Sequence, residues 1–487
     1  MERMRRGLLE HPIAAPLSAE ALLVALAAAH PDAAGLVWLD SGEGATTGTS
    51  LVALGEPVPL DHDRPVLPQL RAELDALGAP PPRQPVGRQP VGRPPAGPLG
   101  LIGWFGYELR AETMQMPAPV VAPAHRAAWL RVDRGVLFDH GTATARLIAL
   151  DPTGDGRWQG ELDDWRRGML ALAARASAAS APPVAEPRPL GLVVERDDDA
   201  HYARMVAACQ QFIREGEAYQ LCLTTQTAVE TADGAPFDAV ELYRRLRRGS
   251  PAHHGALLRI EGVALLSASP ETFLRVSDGV VQTRPIKGTR PRAADAARDA
   301  ALAAELAAND KEQAENLMIV DLMRNDLSRV SEVGSVVVTG LHEVESYPHV
   351  HQLVSTVEGR LRGGLDALDA VAACFPAGSM TGAPKRRAIE LLDGGGDDGA
   401  GGHGGLERGP RGVYSGAFGY LGLDGGADLA MVIRSIVVDG ARATVGAGGG
   451  VTALSEPAAE VAEMRLKAAA LLRAIGVERQ GEGGGPR

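Results

Sequence analysis

The stretch 263–292, VALLSASPETFLRVSDGVVQTRPIKGTRPR, decides the fold class. It reads as a meander of short strands, apolar runs broken by Ser-Pro, Asp-Gly and Gly-Thr. Just upstream, 197–230 reads as helix, turn and strand, with Gly216 and Glu217 stopping the helix before YQLCLTT. Downstream, DKEQAENLMIVDLMRNDLSRV (310–330) reads as a helix, and 335–361 returns to strands. VYSGAFGYLGL (413–423), the run 427–451 and a final helix from Ser455 to Ile475 complete the pattern. Antiparallel strands with helices between them, lacking the βαβα rhythm of a parallel sheet, predict an α+β fold.

Further out, 17–30 reads as a helix capped by Ser18 and broken at Pro31-Asp32, followed by the buried strand GLVWLDS. LGLIGWFGYEL (99–109) reads as a Gly-punctuated strand pair, and 161–180 as an Ala-rich helix. Two stretches read as loops. Residues 79–98 carry R-Q-P-V-G and a copy of it, a semi-rigid exposed segment. Residues 393–410 are Gly-rich and expected to be mobile. A Pro-rich linker at 178–189 divides the sequence into an N-terminal region 1–185 and a larger unit 186–476, with a flexible tail 477–487.

At 487 residues with 45% hydrophobic and 23% charged side chains, the composition is that of a globular protein. The net charge of −12 repels nucleic acid and anionic lipid, and 4% aromatic residues leave little for base stacking. An anionic substrate therefore needs a local reversal of sign. The three cysteines (Cys209, Cys222, Cys374) are too scattered for a disulfide framework or zinc knuckle. No apolar h-region follows the first basic residues, and no apolar run is long enough to span a bilayer. A soluble, cytoplasmic protein is expected, with no nucleic-acid or membrane partner. No P-loop or dinucleotide fingerprint is present, which leaves nucleotide cofactors without support.

Two E-x-x-E pairs, Glu312/Glu315 and Glu460/Glu463, each put both carboxylates on one helix face. Four carboxylates converging from two helices would hold a hard divalent cation such as Mg²⁺; a solvated helix face is the alternative. Lys287, between Ile286 and Gly288 with Arg284, Arg290 and Arg292 nearby, sits in an electropositive, partly apolar setting that favours the nucleophilic free amine. The same residues also suit a basic turn that binds an anion. Glu271 in SASPETF is either a general acid or an ion-pair partner of that lysine. VGAGGGV (445–451) offers amides for a carboxylate, or simply a glycine turn. Arg434, within an apolar strand, needs a partner: a bound carboxylate or a buried acid. His349 and His351 share a strand face without a third metal ligand nearby.

Taken together, SPETF, PIKGTRPR, KEQAENLMIVDLMRNDLSRV, VHQLVST, FPAGSMTGAPKRRAIELL, YSGAFGYLG, VIRS, GAGGGV and AAEVAEMRLKA occur in an order that resembles the chorismate-utilising enzymes. That family includes anthranilate, aminodeoxychorismate, isochorismate and salicylate synthases. The resemblance covers roughly residues 195–475, and more loosely WLDS and GLIGWFGYEL. It implies two packed antiparallel sheets flanked by helices. It also implies Mg²⁺ on Glu315 and Glu463, with Glu312 and Glu460 as their partners. Gly288, Thr289, Ser379, Tyr414, Arg434, Gly448 and Gly450 would contact chorismate.

Position 287 separates branches of the family: anthranilate synthases usually read P-I-A-G-T, aminodeoxychorismate synthases P-I-K-G-T. The lysine here resembles the latter. The implied reaction is attack of Lys287 on ring carbon C2 as the C4 hydroxyl leaves with a proton from Glu271. Ammonia from a glutamine amidotransferase subunit then attacks C4 and expels the lysine from C2. Two departures stand out. Gln352, after His351, occupies the place where many relatives have a histidine, and Leu39-Asp40-Ser41 replaces the family's usual tryptophan-site motif.

Overall fold

The computed structural model describes residues 7–78, 98–151, 154, 156–179, 181–250, 252–347, 350–393 and 405–477. Its strands form two antiparallel sheets, one of twelve strands and one of ten. Between the sheets lies a core in which Val37, Leu258, Leu265 and Val437 of the larger sheet meet Ile102, Trp104, Leu130 and Phe418 of the smaller. The outer face of the larger sheet packs against helices that include Ala19–Ala29, Asp199–Arg214 and Pro457–Ile475. The outer face of the smaller sheet packs against Val66–Ala76, Asp310–Ser328 and Ala367–Cys374. Four layers result, and strands buried on both faces read as unbroken apolar runs. Val263–Ser269 is buried at every residue, where an alternating pattern would mark a solvated face.

Residues before and after the linker contribute to both sheets. Gly35–Asp40 pairs with His254–Ile260 in the larger sheet, and Gly100–Phe105 pairs with Ala417–Gly422 in the smaller. The linker itself lies on helix Ala239–Gly249, where Arg244 donates to Pro182 O and Arg245 to Ala185 O.

Several sequence expectations change. The Ser18 cap is not among them: it forms as expected, accepting from the Ala21 N–H at 3.1 Å. The segment 99–109 is one strand, Gly100–Phe105, followed by a single 3-10 turn, because Gly106 lets the chain turn under His125. The last helix begins at Pro457, and Ser455 instead bonds the Glu460 side chain. A helix at Ala296–Ala307 was not foreseen; only Leu306 of it is buried, so it lacks an apolar stripe. Of the expected mobile segment 393–410, residues 405–410 are ordered around the buried Glu407, while 394–404 lie outside the described residues. Most of the loop 79–98 and the tail from 478 lie outside them too.

Candidate active site

Strand Ile286–Pro291 pairs with Val350–Arg360, but its register slips between Ile286 and Thr289. The extra residues form a bulge that contains Lys287 and Gly288, the latter at φ 80°. Bulges re-aim side chains, and this one turns Lys287 out of the ladder. Asn316, fully buried one position after Glu315, donates to the Pro285 carbonyl at 3.4 Å and accepts from Ser355 Oγ at 2.5 Å. The segment leading into the bulge is thereby tied to helix Asp310–Ser328.

The glycine run is a strand, Arg442–Val451, rather than a turn. Gly448 faces Thr224 and Gly450 faces Cys222 across the ladder with Gln220–Thr231. On its other side the pairing with Ser435–Asp439 ends at Val445, so that edge stays open beside Gly446–Val451. A Cβ on Gly450 would lie 3.4 Å from Lys287 Nζ and collide with Gln220 Nε2. A Cβ on Gly446 would collide with the Tyr414 ring. Glycine is therefore required here by close approach, and the run forms the floor against which Lys287, Gln220 and Tyr414 stand.

Glu271 precedes strand Thr272–Ser277 and is buried. Burial pushes its carboxyl up to about 7, against the opposing pull of a Ser379 hydrogen bond and of the Lys287 and Lys467 charges. Ser379 sits in the one-turn segment Gly378–Met380. A carboxyl that holds its proton near neutrality beside an amine is an acid–nucleophile pair.

Arg434 does not lie within a strand. It occupies the turn between Ala427–Met431 and Ser435–Asp439 at φ 51°, and its guanidinium has no ion-pair partner among the described residues. Although its side chain reaches solvent, the protein packed around it lowers its pKa by desolvation, with Tyr414 and Glu463 opposing. Tyr414 is buried, and burial holds its hydroxyl protonated. An unpaired guanidinium, a phenol and an open strand edge are suited to binding a carboxylate. Thr289 is exposed on the rim beside Arg290.

The four carboxylates do not converge as one cluster. Glu312 lies beside Gly288 and 3.6 Å from Arg290, and Glu460 turns inward to accept from Ser455 Oγ at 2.7 Å. Glu315 and Glu463 remain, from two helices. Burial raises Glu315, and Glu312 and Glu463 raise it further against Lys287 and Lys311. Glu463 is also raised by burial, but Lys467 outweighs that and leaves it below the ordinary carboxylate value. No group of three His, Cys, Asp or Glu side chains close enough to hold a metal occurs among the described residues. Two acceptor-only carboxylates that sense each other still suit Mg²⁺, which takes one or two protein carboxylates and fills its shell with water and substrate oxygens.

His351 is buried in a structural contact, with Nε2 3.0 Å from Asp299 and Nδ1 2.8 Å from Ser346 Oγ; His349 lies outside the described residues. Gln220 escaped the sequence reading. It is fully buried, and neither amide atom has a hydrogen-bond partner among the described residues. The one signal was a lone amide opening the apolar strand QLCLTT.

The sequence matches the chorismate binding enzyme family over residues 43–473. An aminodeoxychorismate synthase of Streptomyces pristinaespiralis is 44% identical over 77% of this chain and 51% of its own length. The chain thus spans about half the length of that relative. An anthranilate synthase component 1 of Streptomyces coelicolor is 37% identical over 77% of this chain and 72% of its own. The crystal structure of anthranilate synthase component I from Streptococcus pneumoniae superposes with a TM-score of 0.68 at 29% identity, covering 88% of this chain and 93% of that one.

Proposed function

Because the chain belongs to the chorismate binding enzymes, we propose that it carries the component I activity of aminodeoxychorismate synthase, replacing the C4 hydroxyl of chorismate by an amino group. The observation that carries this reading is the placement of Lys287. The bulge presents its amine against Gly450 and Gln220, under the influence of a Glu271 that is protonated near neutral pH.

The steps balance as follows. Lys287 Nζ bonds to C2 of the ring, the two ring double bonds shift to C1=C6 and C4=C5, and the C4–O bond breaks. The hydroxyl leaves as water with the proton of Glu271. Ammonia then bonds to C4 as the C2–Nζ bond breaks and the double bonds shift back, regenerating the lysine; a proton of the new ammonium returns to Glu271, giving 4-amino-4-deoxychorismate. Ser379 orients Glu271. Tyr414, Arg434 and the open edge at Gly448 and Gly450 hold the carboxylates, and Gly288 and Thr289 line the rim. Glu315 and Glu463 would hold Mg²⁺, aided by Glu312 and Glu460, and the ion would supply positive charge for a substrate carboxylate. Ammonia comes from a glutamine amidotransferase subunit. No helix among the described residues is long and apolar enough to cross a membrane.

The test is product analysis by mass and retention on the purified chain with chorismate, Mg²⁺ and excess ammonium. Aminodeoxychorismate from the wild type and none from Lys287→Ala supports the proposal. Anthranilate or isochorismate as the product overturns it.

A further inference from the structure

Arg411 lies in the buried layer next to the site, 3% exposed, and uses all five of its N–H donors. Nε and one Nη2 hydrogen go to the two carboxylate oxygens of Glu407, at 2.8 and 2.7 Å. Nη1 donates to the Met380 carbonyl at 2.6 Å and to Ser415 Oγ at 3.3 Å. The remaining Nη2 hydrogen goes to the Cys222 carbonyl at 2.9 Å. Glu407 in turn accepts the Thr224 N–H at 2.8 Å and its hydroxyl at 2.9 Å. Below the guanidinium, the Tyr107 ring is 4.4 Å away, and the Arg411 N–H donates to Glu108 at 2.9 Å.

The recipients are not scattered. Met380 follows Ser379 and Ser415 follows Tyr414. Cys222 and Thr224 stand opposite Gly450 and Gly448, and Gln220 is two residues away on the same strand. Every segment that shares a hydrogen bond with the Arg411 guanidinium, or with its carboxylate partner, bears a residue of the site. Stability alone does not account for such a group. A buried ion pair often loses nothing to apolar replacement, because desolvation offsets the attraction. What a planar five-donor fork supplies is fixed geometry, which a three-donor lysine cannot reproduce.

We propose that Arg411, clamped by Glu407, is a positioning residue that sets Ser379, Tyr414 and the glycine strand relative to one another. The role rests on reading those residues as the chorismate site. Glu271 reports it, because its proton affinity depends on Ser379. The other charges acting on Glu271 are Lys287 and Lys467, neither of which touches Arg411. If Arg411 holds the turn that bears Ser379, its loss weakens the Ser379 hydrogen bond and raises the pH at which Glu271 ionises.

The experiment follows the protonated-carboxyl infrared band of the full chain against pH. Glu271 is assigned by the band lost in Glu271→Gln, which also separates it from Glu108, raised by burial to about 7 as well. Ser379→Ala should titrate higher than the wild type, and Arg411→Lys should move in the same direction. In parallel, Arg411→Lys should lower kcat/KM with chorismate at least tenfold. Glu407→Gln keeps the side-chain shape and repeats the test if Arg411→Lys does not fold. Folded variants of Arg411 and Glu407 with wild-type Glu271 titration, kcat and KM overturn the proposal. A wild type that makes no product from chorismate overturns the function instead, and the infrared comparison still decides the positioning role.

Discussion

Lys467 Nζ lies 2.7 Å from Glu463 Oε1, one helical turn earlier, and the same ammonium donates to the Gly448 carbonyl at 2.8 Å. A single lysine thus ties one of the two remaining metal-type carboxylates to the glycine floor. On the proposed reading, Mg²⁺ would compete with that ammonium for Glu463. Glu463→Gln should raise the Mg²⁺ concentration for half-maximal activity by about tenfold or more, as loss of a supporting ligand does elsewhere. A Mg²⁺ titration of turnover checks this, and an unchanged midpoint would remove Glu463 from the metal site.

Lys287→Ala should abolish detectable turnover. Glu271→Gln should reduce kcat by about 10²–10⁴, the usual share of a positioned proton donor. Lys287→Arg should rescue neither, since a guanidinium keeps its proton and is no nucleophile. Rapid-quench mass measurement during turnover should find chorismate-derived mass on the wild-type chain and none on Lys287→Ala.

The raised carboxyl of Glu271 sets a pH dependence with a definite sign. In the unfolded chain it ionises near the ordinary value, while in the fold it keeps its proton up to about 7. Between those values the folded state binds the extra proton, so its contribution is full below the unfolded pKa and is lost as pH rises through the folded one. The loss amounts to roughly 3 kcal/mol by the standard conversion. Denaturant melts of Glu271→Gln across this window should decline less steeply with pH than those of the wild type. Turnover at fixed free ammonia should fall as pH rises past about 7, where the acid is spent.

Gln220 is buried with both amide atoms unpaired among the described residues, a costly arrangement. Gln220→Leu, of similar shape, should stabilise the protein by about 1–3 kcal/mol, the desolvation penalty removed, while lowering kcat. Thermal melts and kinetics on one preparation check both halves; a variant that is less stable refutes the first.

Gly450→Ala should cost activity by a route distinct from the chemistry. Its methyl group would press on Gln220 and sit 3.4 Å from the Lys287 amine. Overpacking of this kind costs about 1–3 kcal/mol. Melting temperature and KM should both worsen, and restoration by Gln220→Ala would locate the clash.

Much of this site was legible because its chemistry sits in short motifs of informative residue types. Glu271, Lys287 and the carboxylate pairs stand out as candidates by charge and spacing, each beside a structural alternative that only the resemblance to the chorismate-utilising enzymes disfavours. Where the sequence misled, the reasons are local. Arg434 looked like a strand residue because its neighbours are apolar, yet its positive φ places it at a turn. The glycine run resembled a turn because glycine suits turns, and the strand is revealed only by its pairing with Gln220–Thr231. Four carboxylates on two helix faces looked like one cluster, but Arg290 and Ser455 draw two of them aside. Glu407 and Arg411 lay beside a Gly-rich stretch whose composition hid a buried ion pair.

The weaving of early and late strands into both sheets has a consequence for synthesis on the ribosome. Trp38 waits for Leu257, about 220 residues later, and Leu101 for Leu421, about 320 later. Each of these strands has an early neighbour on its other side, Thr49–Leu54 and Ala127–Val132, but at roughly 5–20 residues per second one edge of each remains unpaired for on the order of ten seconds to a minute. During that time their backbone edges and apolar side chains are available to the wrong neighbours. Yield of active protein in the cell should therefore respond to holdase chaperones and to translation speed more than the stability of the finished fold would indicate.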